Sequence, residues 1–113
     1  MAELNSDIEG VLREYIKFLK EEEYFEAHEV LEESWHYLRS IKSPLVNLVK
    51  GLINGAIAFE HIKRDKKNAS IKAKKVIISY DRYKGLYCDS IEYAFLFKEA
   101  IMIVEELRKK EGI

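Results

Sequence analysis

The chain has 113 residues, enough for one domain with a core of its own. With 48% hydrophobic and 35% charged residues it is too apolar to remain unfolded. Its net charge of −1 gives no general attraction for nucleic acid, and its single cysteine excludes an intrachain disulfide or a thiolate-held metal cluster.

The first predicted helix covers about 7–22. Ser6 and Glu9 form a capping box at its start. Ile8, Val11, Leu12, Tyr15, Ile16 and Leu19 then recur at helical spacing. A second helix is expected over about 25–39, with Tyr24, Leu31, Trp35 and Leu38 inward. His28 and Glu32 fall in the same stripe, and an ionisable group on such a face calls for a partner.

Ser43 followed by Pro44 is a strong start signal, and a third helix is predicted over about 44–64. It is apolar on nearly every side, which suits a helix surrounded by others. Gly51, Gly55 and Ala58 would let a neighbour come close. A fourth helix is read over about 69–83, capped by Asn68 or Ser70 and closed by a left-handed Gly85. Ala73, Val76, Ile77 and Tyr80 face inward. Asp89 and Glu92 start a fifth, to about 109, with Tyr93, Leu96, Phe97, Ala100, Val104 and Leu107 as its main stripe. Phe95, Ile101, Met102 and Ile103 widen that stripe, so a homo-oligomer contact through this C-terminal helix stands beside deeper burial as an explanation. No strand is predicted. The fold class is all-α: a single-domain bundle of about five helices around a buried central helix.

No run of apolar residues is long enough for a membrane span, and no basic-then-apolar leader opens the chain, so a soluble cytoplasmic protein is expected. Cys88 reads as a small, partly buried residue near a turn. The absence of Gln and the wealth of Lys and Glu point to a heat-loving source. Acidic residues gather at Glu21–Glu33 and basic ones at Lys63–Lys75. Two solvated faces are the favoured reading of this division, beside a phosphate-binding patch or a contact between the acidic and basic ends of neighbouring copies; nucleic-acid binding ranks last because no aromatics are interleaved with the lysines.

The residues able to carry chemistry lie on the second and third helices. His28, Glu32 and Trp35 share one face, with Glu29 at its edge. On the third helix Asn47, Lys50, Asn54 and His61 lie within about 60° of one another, a single polar seam. A short connection makes the helices antiparallel neighbours, so Trp35 should meet Asn47 and Lys50, and His28 should lie nearer Asn54 and His61. Three roles are open. Glu32 could pair with Lys50 or His61 to fix helix register. His28, Glu32 and His61 could hold zinc, iron or manganese. His28 could carry a proton while Lys50 contacts a small anion. Glu33 with His36 supplies only one copy of the motif that di-iron bundles use twice. His36 and the Tyr37 hydroxyl are expected to face solvent or a helix edge.

The segment Tyr24-Phe25-Glu26-Ala27-His28-Glu29-Val30-Leu31-Glu32-Glu33-Ser34-Trp35 resembles a signature of a bacterial and archaeal family known as a domain of unknown function, number three hundred and nine. A second signature is similar to Lys50-Gly51-Leu52-Ile53-Asn54, followed by Ala56 and His61. Asn54 stands where the family has Gln, and the family's later Asn-x-x-Gly-Ala turn is matched only by Asn68 with Lys72 and Ala73. The resemblance implies an all-α fold and points to His28, Glu29, Glu32, Trp35, Lys50 and His61. It implies no reaction and no cofactor.

The expected site is therefore a polar pocket of His28, Glu29, Glu32, Trp35, Lys50, Asn54 and His61. The favoured reading is a structural or small-ligand-binding module. The alternative is a metal-dependent or acid–base, hydrolase-like enzyme that uses His28, Glu32 and His61.

Overall fold

The computed structural model describes residues 6–64 and 69–113. Among them lie five α-helices and no strand: α1 (Ile8–Lys20), α2 (Tyr24–Ser40), α3 (Val46–Arg64), α4 (Ala69–Lys84) and α5 (Ala94–Glu111). The whole apolar stripe expected of α1 is buried. Helix α3 lies against α4, α2 and α5, and buries Leu48, Val49, Leu52, Ile53, Ala56, Ala58 and Phe59 around its circumference. The Tyr15 hydroxyl donates a 2.7 Å hydrogen bond to the Leu52 carbonyl, tying α1 to α3 inside the core. Burial pushes that phenol far above its usual pKa, so it stays a donor.

The glycines of α3 set its distance from α4. A Cβ on Gly51 would lie 3.1 Å from the Tyr83 Cβ and 3.5 Å from the Tyr80 Cα, so the two helices touch backbone to backbone there. One turn later the space is looser. A Cβ on Gly55 would meet only Val104 and the Tyr80 ring, at 3.6 Å and beyond.

Several helix ends differ from expectation. Asp7, not Ser6, caps α1; its carboxylate accepts from the Gly10 amide at 3.0 Å. Helices α1 and α2 each close with a left-handed residue that is not glycine, Glu22 (φ 59°) and Lys42 (φ 54°). The following amides reach back to Phe18 and Leu38, satisfying carbonyls the helices would otherwise leave open. Lys63 reinforces the first of these turns by donating to the Glu22 carbonyl at 2.8 Å. Ser43 accepts from the Leu45 amide, and α3 proper begins two residues beyond Pro44. Gly85 does not take the left-handed conformation. Helix α5 starts at Ala94 after a left-handed Tyr93, because Asp89 is held instead by the Tyr87 hydroxyl at 2.7 Å. Cys88 is exposed rather than partly buried. Asn68 lies outside the described residues.

An ionic network fastens α5 to α4. The Tyr80 hydroxyl donates to Glu105 at 2.8 Å, Lys84 bridges Asp81 (3.1 Å) and Glu105 (3.3 Å), and Arg108 grips both oxygens of Asp81. Partial burial alone would raise the carboxyls of Asp81 and Glu105. Hydrogen bonds to Asp81 from Arg108 and Lys84, and to Glu105 from Tyr80 and Lys84, outweigh burial with the help of the nearby positive charges, and hold both below their usual range.

Two outcomes follow for stability. Gly55→Ala should raise it by about 0.5–1 kcal/mol through helix propensity, while Gly51→Ala should show no gain or a loss, because α4 must move away; thermal melts of the two variants give the order. Because the two carboxyls are depressed in the folded protein, their contribution is present above about pH 4 and fades as pH falls through the folded values. Both are more than one-third exposed (38% and 43%), which limits the effect to about 1 kcal/mol. Urea titrations should show a shallower acid loss for Arg108→Met than for the parent chain.

Candidate functional site

Helix α2 buries Tyr24, Ala27, Leu31, Ser34 and Leu38. That choice of buried face leaves His28, Glu32 and Trp35 at its margin, half in solvent. His28 Nε2 and Glu32 Oε2 are 2.9 Å apart, across one helical turn. Their side chains are 21% and 44% exposed, so the pair lies where solvent reaches it. Phe25 sets its ring edge against the imidazole, with centroids 5.8 Å apart, and restricts how the histidine can turn.

Glu29 joins this pair. Among the described residues, His28, Glu29 and Glu32 each bring one ligand atom within 4.8 Å of the other two. Glu32 stands four residues from His28 and three from Glu29, so its side chain lies between theirs on the helix surface. His61, the third ligand expected from sequence, is not part of the group; it is half-buried near the end of α3. Glu29, placed at the edge of the face in sequence, takes that position instead.

One turn further along α2, Lys50 of α3 lays its ammonium over the Trp35 ring at 4.7 Å from the centroid, where the antiparallel hairpin should bring it. Arg39 approaches the same ring at 5.4 Å, and His36 meets it edge-on at 5.0 Å. The sequence reading missed Arg39, although its i+4 spacing from Trp35 was the available signal. His36 and Tyr37 are half-buried. Buried Trp35 Nε1 has no acceptor among the described residues.

The polar seam of α3 thus divides. Lys50 turns to α2, whereas Asn54 donates a 2.8 Å hydrogen bond to the Ser79 hydroxyl of α4 and stands outside the α2 face. Asn47 is exposed. A seam about 60° wide falls on the boundary between two neighbouring helices, and each takes the residue nearer to it.

No curated protein and no solved structure matches the chain. A sequence-family model matches residues 12–73, just over half of the chain, and spans about two thirds of α1, all of α2 and α3, and the start of α4. The matched stretch contains every residue of the α2 face and its Lys50 partner, and the chain belongs to the family described as Domain of unknown function (DUF309).

Proposed function

We propose that the chain is a small-ligand-binding protein whose α2 face takes a divalent metal cation through His28, Glu29 and Glu32. The supporting observation is the convergence of three ligand atoms within 4.8 Å on a solvent-reached helix edge. A cation about 2.1 Å from both His28 Nε2 and Glu32 Oε2 would accept them at roughly right angles, given their 2.9 Å separation. An imidazole with two carboxylates suits zinc, iron or manganese. Three protein ligands leave coordination positions open for water or a ligand, which equips the site for metal-assisted hydrolysis as the enzymatic extension of this reading.

The register-fixing role is weaker on the same geometry. An exposed i, i+4 pair contributes only about 0.3–0.5 kcal/mol. We place the protein in the cytoplasm, where its exposed lone thiol at Cys88 would stay reduced.

A second copy of the chain is the partner that best suits α5. Phe95 (74% exposed) and Met102 (54%) form one stripe with Lys98, Glu106 and Lys109. An antiparallel pair of α5 helices centred on Met102 sets Lys98 of each copy opposite Glu106 of the other, so the apolar residues are covered while the charges match.

Calorimetric titration with manganese or zinc should show one saturable site per chain. His28→Ala and Glu32→Gln should each weaken it at least tenfold, with Glu32→Gln losing no more than about 0.5 kcal/mol of stability. Heat absent from the parent chain, or unaltered in both variants, rejects the metal site. For the pairing, light scattering should give the mass of a dimer that Met102→Glu converts to monomer; a parent chain that is monomeric at high micromolar concentration disproves it.

A further inference from the structure

We infer that Trp35, Lys50 and Arg39 form a binding site for a phosphate group, one helical turn from the metal ligands. The inference rests on the metal reading for its substrate class, but its own residues are distinct from those that would hold the ion.

The first support is the state of the two cations. Six helix-borne basic side chains find carboxylates: Arg13 with Glu9, Lys20 with Glu99, Arg64 with Glu60, Lys84 and Arg108 with Asp81 and Glu105, and Lys110 with Glu22; others, among them Lys17 and Lys98, make no ion pair among the described residues. Neither Lys50 nor Arg39 has a carboxylate within ion-pair distance among the described residues. Both converge instead on one indole, at 4.7 and 5.4 Å from its centroid. A cation on an aromatic face keeps its N–H donors available to an acceptor beyond the ring. The planar guanidinium of Arg39 and the compact ammonium of Lys50 are a usual combination for phosphate oxygens.

Position is the second support. Glu32, Trp35 and Arg39 stand at i, i+3 and i+7 on α2, so the cations lie on the same face as the metal group. Charge is the third. A divalent ion would balance the carboxylates of Glu29 and Glu32. Lys50 and Arg39 then leave two positive charges beside it, which matches the two negative charges of a phosphate monoester. A ligand with its phosphate on Lys50 and Arg39 would present a neighbouring oxygen to the open coordination positions.

Trp35 is the only tryptophan of the chain, so its emission reports on this site alone. Its indole N–H has no acceptor among the described residues and the two cations approach its ring, so a ligand that draws the cations away will alter the emission. The experiment titrates inorganic phosphate into the full chain stripped of metal by a chelator, against chloride at equal ionic strength. A saturable, phosphate-specific change is expected. Lys50→Met should abolish it, and Arg39→Met, at an exposed position that tolerates change, should weaken it about tenfold. His28→Ala should retain it, and adding manganese to the parent chain should tighten it. A response no larger than chloride's, one that survives both Lys50→Met and Arg39→Met, or an equal response to acetate overturns the phosphate site. Retained phosphate binding in a chain that takes up no manganese sinks the metal reading and leaves this one standing.

Discussion

The structure depends on how little of α3 is left to solvent. A helix that buries Leu48, Val49, Leu52, Ile53, Ala56 and Phe59 around its circumference cannot be stable until neighbours surround it. The remaining elements supply that cover. The hairpin to α2 screens one flank, Tyr15 of α1 reaches in to bond the Leu52 carbonyl, and α4 presses against Gly51. Each neighbour is amphipathic because it has one face to offer α3 and another to offer water. The same demand explains the open chemistry of α2. Its inner face is committed to Ala27, Leu31, Ser34 and Leu38, so polar side chains collect at the margin, where water and ligands can reach them.

That margin joins two sorts of interaction in a short length of helix. His28, Glu29 and Glu32 gather acceptor atoms, while one turn away Lys50 and Arg39 gather positive charge on an aromatic surface. The backbone alone brings them together, through side-chain repeats of three and four residues and one crossing from a neighbouring helix. Neither group is buried deeply enough to need the other for stability. The arrangement is therefore cheap to maintain, and the side chains are free to respond to a ligand. The ionic network of α4 and α5 works differently. Its five side chains satisfy one another, so little capacity remains for anything from solution.

Much of this was legible in the sequence, for physical reasons that differ by element. The stripe of α1 and the encircled character of α3 were clear because hydrophobic periodicity over four or five turns leaves little alternative. The meeting of Lys50 with Trp35 followed from helix phase and a short connection. Helix ends were less legible. Asp89 and Glu92 offered a sound capping pattern, but a tyrosine two residues earlier claimed Asp89, and the chain turned at Tyr93 before α5 could begin. Non-glycine left-handed residues at Glu22 and Lys42 carry no composition signal at all. Asn54 bonds to α4 because a residue near the edge of a seam can serve either flank, and only the presence of Ser79 there decides between them. The Asp81–Arg108 network escaped notice because charged residues on two amphipathic helices look the same in sequence whether they face each other or water.

The close approach at Gly51 has a consequence for how the family's sequences can drift. Gly51 and Lys50 are adjacent in the chain and about 100° apart around α3, so one meets α4 while the other meets α2. The absent side chain acts as a rotational stop: it fixes the angle at which α3 rests, and through that angle the aim of its neighbour. A bulkier residue at the stop would roll the helix and swing the lysine off the indole without touching either. Purely steric drift on one side of the helix is thus tied to recognition on the other, and relatives that enlarge the first position should need to re-aim or replace the second.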